Sequence, residues 1–159
     1  MYTEIKAKID CALESIITTC GASHTKEMLR ERYEIEAEWV DAEYGLWSCI
    51  MLLSDVIEKM KSSGVVISPG YGHLTCSFLL HIAGVTNVNP VEWDLPFWRF
   101  LNAFMLGNEQ KLETGTGGIA VVEKLLLCSR NIISFEQGTF QFIYREGNVE
   151  KTFLLNIIE

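Results

Sequence analysis

The stretch Gly64-Val65-Val66-Ile67-Ser68-Pro69-Gly70-Tyr71-Gly72-His73 decides how this chain is read. Three β-branched residues in a row predict a short strand over 65–67, because branching at Cβ suits an extended backbone. Pro69, Gly70 and Gly72 then predict a loop. From His73 to Ala83 the apolar residues return at helical spacing, and Gly84 closes that helix. Strand, glycine loop and helix in that order make an α/β unit. On its N-terminal side, residues 4–20 place Ile5, Ile9, Leu13, Ile16, Ile17 and Cys20 on one helical stripe, with Thr3 as N-cap and Gly21 as stop. Thr25 to Lys61 reads as helix, divided near Gly45, and its second part (Leu46 to Leu53) is apolar on most sides, as a central buried helix would be. On the C-terminal side, Trp93 to Asn102 predicts a short aromatic helix, and Gly107 to Gly118 a flexible connection. Ile119 to Cys128 predicts a further helix. Asn131–Phe135, Thr139–Arg145 and Val149–Ile158 alternate as strands do, with turns at Gln137-Gly138 and Gly147-Asn148, hence an antiparallel meander.

Composition narrows the function classes. The chain has 159 residues, 48% of them hydrophobic, enough to fill a core. Its net charge of −8 repels duplex DNA, and no cluster of Lys or Arg offsets it: Lys26, Arg30 and Arg32 lie among glutamates. Five cysteines with no C-x-x-C pair argue against zinc, and with no secretory leader they fit free thiols in the cytoplasm. No apolar run approaches the ~20 residues of a membrane span.

Several pieces, in order, carry a family resemblance. They are Arg32-Tyr33-Glu34-Ile35-Glu36, the strand Gly64–Ile67, the loop Ser68–His73, the turn Gly84-Val85-Thr86-Asn87-Val88-Asn89-Pro90, and Phe97-Trp98-Arg99-Phe100-Leu101-Asn102. Over about seventy residues this set resembles the palm of the family C polymerases, the alpha subunit of bacterial DNA polymerase III. The resemblance implies a polymerase-beta-like nucleotidyltransferase fold. It implies two functional parts: a glycine loop whose amides hold a triphosphate, and strand aspartates that hold two Mg²⁺ ions. Gly70 and Gly72 match the loop glycines and Ser77 a further small position. Tyr71 stands where the family has arginine and His73 where it has serine. The aspartate pair of the family falls, ungapped, on Gln110 and Leu112, and Asp94 is the last aspartate in the chain. Glu109 and Glu113 flank that place and are weak candidates as substitute metal ligands.

Each candidate has a plainer reading beside the functional one. Gly70, Tyr71, Gly72, His73, Ser77 and Arg99 are the candidate nucleotide or phosphate contacts. A tight turn without a ligand, a capping histidine and an arginine paired with an acid are the structural counterparts. His81 reads as a core-edge histidine and His24 as a loop residue. The series Glu31, Glu34, Glu36, Glu38, Asp41, Glu43 reads as a solvated helix face laced with Arg30 and Arg32. Trp93, Phe97, Trp98, Phe100 and Phe104 read as core or a dimer interface before a base-stacking platform. Gly115-Thr116-Gly117-Gly118 lacks the following Lys-Ser/Thr of a Walker loop and reads as a linker.

The expectation is therefore an α/β (α+β) protein of one domain. A helical N-terminal half packs on a small, mainly antiparallel sheet built from the 65–67 strand and the C-terminal meander. Residues 1–24 form a helical extension, 25–104 a truncated palm-like region, and 105–159 a helix plus antiparallel strands. The resemblance with its missing aspartates implies no catalytic residues, no cofactor, and a scaffold or protein-interaction role in the cytoplasm, linked to DNA replication, with a protein partner or a second copy. The alternative is a divergent nucleotidyltransferase or nucleotide-binding protein working at the Gly70–Gly72 loop with Mg²⁺.

Overall fold

The structure is a computed structural model that describes residues 2–20, 23–127, 132–136, 138–146 and 148–159. Helix α1 (Tyr2–Thr19) buries Ile5, Ile9, Leu13 and Ile17, each four residues from the last, so one narrow stripe meets the core. Helix α2 (Ser23–Ala42) follows and includes His24, which is therefore helical rather than in a loop. Gly45 adopts φ 83°, a left-handed conformation that breaks the helical run where the sequence places the break. Helix α3 (Leu46–Ser62) buries nine residues around most of its circumference and touches α1, α2 and two helices that come later in the chain. Its end is a Schellman motif: Gly64, at φ 74°, donates to the Lys61 carbonyl at 3.1 Å and Val65 to the Met60 carbonyl at 3.0 Å.

The next segment departs from the sequence reading. Val65–Ile67 is no sheet strand; only Ile67 forms a β-bridge, antiparallel to Thr114, flanked by Ser68 N to Glu113 O at 2.9 Å and Gly115 N to Val66 O at 2.8 Å. Pairing stops because Pro69 has no amide hydrogen and its carbonyl turns to accept from Asn87 N. The single helix expected over 73–83 is two pieces, a 3-10 turn (Gly72–Cys76) and helix α4 (Phe78–Ile82). Ser77 separates them with extended backbone (φ −105°, ψ 122°), and its hydroxyl accepts from Leu80 N at 3.2 Å, the geometry of an N-cap. Helix α5 is Trp98–Met105, later than the 93–102 expected, because Pro96 disfavours helix at the residue before it, and Leu95 instead donates back to the Pro90 carbonyl at 2.8 Å.

The connection expected over 107–118 contains a strand, β1 (Gln110–Glu113). After helix α6 (Gly118–Leu127) come β2 (Ile132–Glu136), β3 (Thr139–Glu146) and β4 (Val149–Ile158). Residues 128–131, 137 and 147, which include Cys128 and parts of the expected turns, lie outside the described residues. The sheet order is β1-β4-β3-β2. The meander is antiparallel as expected, whereas β1 adds to it in parallel, with Gln110 opposite Leu155 and Leu112 opposite Ile157. A Gln-Lys-Leu-Glu stretch has weak strand propensity by itself; the exposed edge of β4 supplies the ladder that extends it. One apolar cluster runs from Ile5 of α1 through α3 to Phe140, Phe153 and Leu155 of the sheet. The fold is thus α/β, with its fourth strand at 110–113 rather than 65–67. No described helix is long and apolar enough to cross a membrane.

Candidate functional site

The 3-10 turn is the centre of the region the sequence singles out: α4, α5 and β1 all pack on it. The loop before it is closed tightly. A Cβ on Gly70 would lie 2.6 Å from Thr75 Cγ2 and 3.0 Å from Val88 Cγ2, so glycine is required there by close approach. A Cβ on Gly72 would meet open space, but its φ of 60° demands a left-handed backbone. The Thr75 hydroxyl donates to the Gly72 carbonyl at 2.8 Å and pins the turn. Tyr71 is exposed, and the His73 ring is partly buried with Nδ1 lacking any hydrogen-bond partner.

Ser77 is committed elsewhere. It is fully buried, and its hydroxyl donates at 3.0 Å to Glu36 Oε2. Glu36 itself is 0% exposed, which overturns its reading as part of a solvated acidic face. Its Oε1 accepts from Phe78 N at 2.8 Å and Arg32 Nε at 2.6 Å, and its Oε2 also accepts from Leu79 N at 3.0 Å. Arg32 completes the latch by donating to the carbonyls of Cys76 (2.9 Å) and Leu95 (2.8 Å). A carboxylate on α2 therefore takes the free amides that begin α4, with an arginine of its own helix one turn away. Burial pushes the Glu36 pKa up, against the pull of the Leu79 and Phe78 amides and of Arg32. The signal was in the sequence: Glu36 falls on the same helical stripe as Leu29, Tyr33 and Val40, the face α2 turns inward. Other members of the acidic series also have partners, Asp41 with Lys6 at 2.8 Å and Glu43 with Lys151 of β4.

Arg99 is exposed on α5 and pairs with no acid among the described residues, contrary to its plainer reading as an arginine paired with an acid. The aromatic cluster divides: Phe97, Phe100 and Phe104 are core, while Trp93 and Trp98 are 71% and 61% exposed. His81 sits at the core edge, its Nδ1 3.1 Å from the Thr86 carbonyl and its ring stacked on Phe78.

Strand β1 places Gln110 and Leu112 together on its inner face, 1% and 4% exposed, against the 3-10 turn side of the core. Gln110 Oε1 is buried without a partner. Lys111 and Glu113 face outward. Glu109 lies just before the strand, and Glu113 points to the exposed face of β1, opposite to Gln110 and Leu112, so it does not stand in for the acids expected on the inner face. Among the described residues no group of three or more His, Cys, Asp or Glu could hold a metal. An amide, a leucine and an imidazole beside the glycine loop do not fit the two-Mg²⁺ centre that the resemblance implies.

These features define an α/β domain in which a glycine loop and a 3-10 turn are clamped between α2, α5 and the start of a parallel strand pair. The chain belongs to the bacterial DNA polymerase III alpha family: the family model described as the bacterial DNA polymerase III alpha NTPase domain matches residues 3–105, and so takes in α1 as well as the loop, the latch and α5. The chain is 30% identical over 76 residues to the DNA polymerase III subunit alpha of Chlamydia pneumoniae, a stretch covering 48% of this chain and 6% of that protein. It is also 30% identical over 80 residues to the DNA polymerase III subunit alpha of Staphylococcus aureus, covering 46% of this chain and 8% of the relative. The matched stretch is thus a small part of these relatives' length.

Proposed function

We propose that this chain is a polymerase III alpha-like protein that has given up nucleotidyl transfer and keeps a palm-like fold as a scaffold for protein association, in a cytoplasmic setting linked to DNA replication. The observation that carries this reading is the inner face of β1. The positions that the resemblance assigns to metal-binding aspartates share one face beside the glycine turn, and they are filled by Gln110 and Leu112. Neither side chain anchors a divalent ion strongly, and transfer of a nucleotidyl group needs anchored ions to stabilise the charge that develops. Ser77, the helix-start residue nearest the loop, is occupied by Glu36, whose negative charge opposes a phosphate at that end of α4. Primer extension with the purified chain, with Mg²⁺ and separately with Mn²⁺, is expected to give no dNTP incorporation above a protein-free blank. Templated incorporation that Gln110→Ala abolishes would overturn the reading.

A second reading is favoured by the description of the matching family as an NTPase domain. In it the Gly70–Gly72 loop, with Tyr71, His73 and Arg99, binds a nucleotide, and Glu109 or Glu113 assists a Mg²⁺ ion. It requires micromolar affinity, worth about −8 kcal/mol. Thermal shift with ATP or dNTP plus Mg²⁺ decides it: a rise in Tm that Gly70→Ala removes supports nucleotide binding, and no shift with any of them discards it.

A further inference from the structure

Helix α2 has a second apolar stripe that no described element covers. Met28, Ile35 and Trp39 are 50%, 46% and 51% exposed. Their spacings of seven and four bring them within about 40° of arc on the helix. The helix already buries a separate face through Leu29, Glu36 and Val40, so the exposed stripe is not the core-facing one. One flank of the stripe is acidic. Glu27, Glu31, Glu34 and Glu38 are all exposed and form no ion pair among the described residues. The arginines that the sequence places among them are turned away: Arg32 points into the Glu36 latch, and Arg30 reaches Glu14 of α1 at 3.7 Å.

We propose that this face of α2 docks an amphipathic helix of a partner protein, with leucine-like side chains on Met28, Ile35 and Trp39 and lysines or arginines along the glutamate flank. Charge selects this occupant over the others. Nucleic acid and anionic membranes bring phosphates against four uncompensated carboxylates. A second copy sets those same glutamates against themselves, on a chain of net charge −8. A basic helix satisfies both halves of the surface, and the stripe's length of roughly 16 Å, or three helical turns, matches helix-on-helix recognition. This inference names the partner class for the scaffold reading. It is tested by binding and not by catalysis, so the two fail separately.

The experiment uses the full chain and two fluorescein-labelled synthetic helices. One has a leucine stripe flanked by lysines; its twin has glutamates in place of the lysines. Fluorescence anisotropy at low salt is expected to give a Kd on the order of micromolar for the lysine helix and no binding of the twin. Ile35→Ser with Trp39→Ser, and separately Glu31→Lys with Glu34→Lys, are each expected to weaken binding by roughly tenfold or more. All four residues are solvent-facing, so far-UV circular dichroism and Tm should stay near wild type and certify the variants. The proposal is overturned if the lysine helix does not bind, if both helices bind equally, or if the Ile35→Ser/Trp39→Ser chain binds as well as wild type. It is also overturned if sedimentation shows a wild-type dimer that the same double substitution dissociates, since the occupant would then be a second copy.

Discussion

At the scale of single residues, the buried pair Arg32 and Glu36 ties more of this region together than the glycine loop does. Glu36 accepts four hydrogen bonds with no exposure, so its charge is tolerated only while Arg32 and the α4 amides hold it. Arg32→Met keeps the stem but leaves that carboxylate uncompensated. It is expected to cost about 3–5 kcal/mol in urea unfolding, and a loss below about 1 kcal/mol would show that the latch is not structural. His81 gives a pH prediction. Burial lowers its pKa below the usual histidine value, outweighing the Thr86 carbonyl and Glu92, which raise it. The folded state therefore prefers the neutral ring. Its contribution is complete above the ordinary imidazole pKa and is lost as pH falls through the lowered folded value. Between about pH 7 and about pH 5 the Tm should fall, and His81→Gln should flatten that fall; parallel curves for the two proteins would refute the assignment. Gly70→Ala should cost about 1–3 kcal/mol through the Thr75 and Val88 contacts.

At the scale of elements, the order β1-β4-β3-β2 puts β3 and β4 inside the sheet and β1 and β2 at its ends. Interior strands have partners on both sides, so their amides open only with larger parts of the molecule. Hydrogen exchange should therefore be slowest in β4 at Leu155 and Asn156, where β1 and β3 both pair with it, and faster in β1. Protection of β1 equal to that of β4 would mean that a further segment covers its outer edge beyond the contact with Ile67 and Ser68. The readable and unreadable elements divide on the same ground. The α1 stripe, the Gly45 break, the glycine stop after α3 and the β3–β4 alternation follow from periodicity and from left-handed glycine, both local properties. Strand β1 was hidden because its partner lies some forty-five residues away, Gln110 opposite Leu155. The 65–67 run looked like a strand because β-branching is local, while the bridge it makes is limited by where Pro69 turns the chain.

At the scale of the whole molecule, the positions that the resemblance gives to metal-binding aspartates belong to the core. The face of β1 that the family resemblance makes acidic is packed here, with Leu112 and Leu155 in the same apolar cluster as α3. Gln110→Asp with Leu112→Asp puts two carboxylates into that cluster. The double variant is expected to lose about 3–5 kcal/mol of stability, and Mg²⁺ should not restore its Tm. Recovery with Mg²⁺ but not with K⁺ would show that metal-binding geometry survives in the fold.

By itself the sequence determined the α/β class, the helices α1 to α3, the meander, the glycine turn and membership of a polymerase-like family. Each of these depends on spacing along the chain or on a backbone conformation that few residues adopt. Only the tertiary structure decided where the acids go. It drew Glu36 out of an acidic series into the core, left Glu27, Glu31, Glu34 and Glu38 in water beside an apolar stripe, and carried Gln110 into a parallel strand. Those outcomes depend on which distant partner meets each side chain, and the energy of a charge is set by that neighbourhood rather than by its place in the chain.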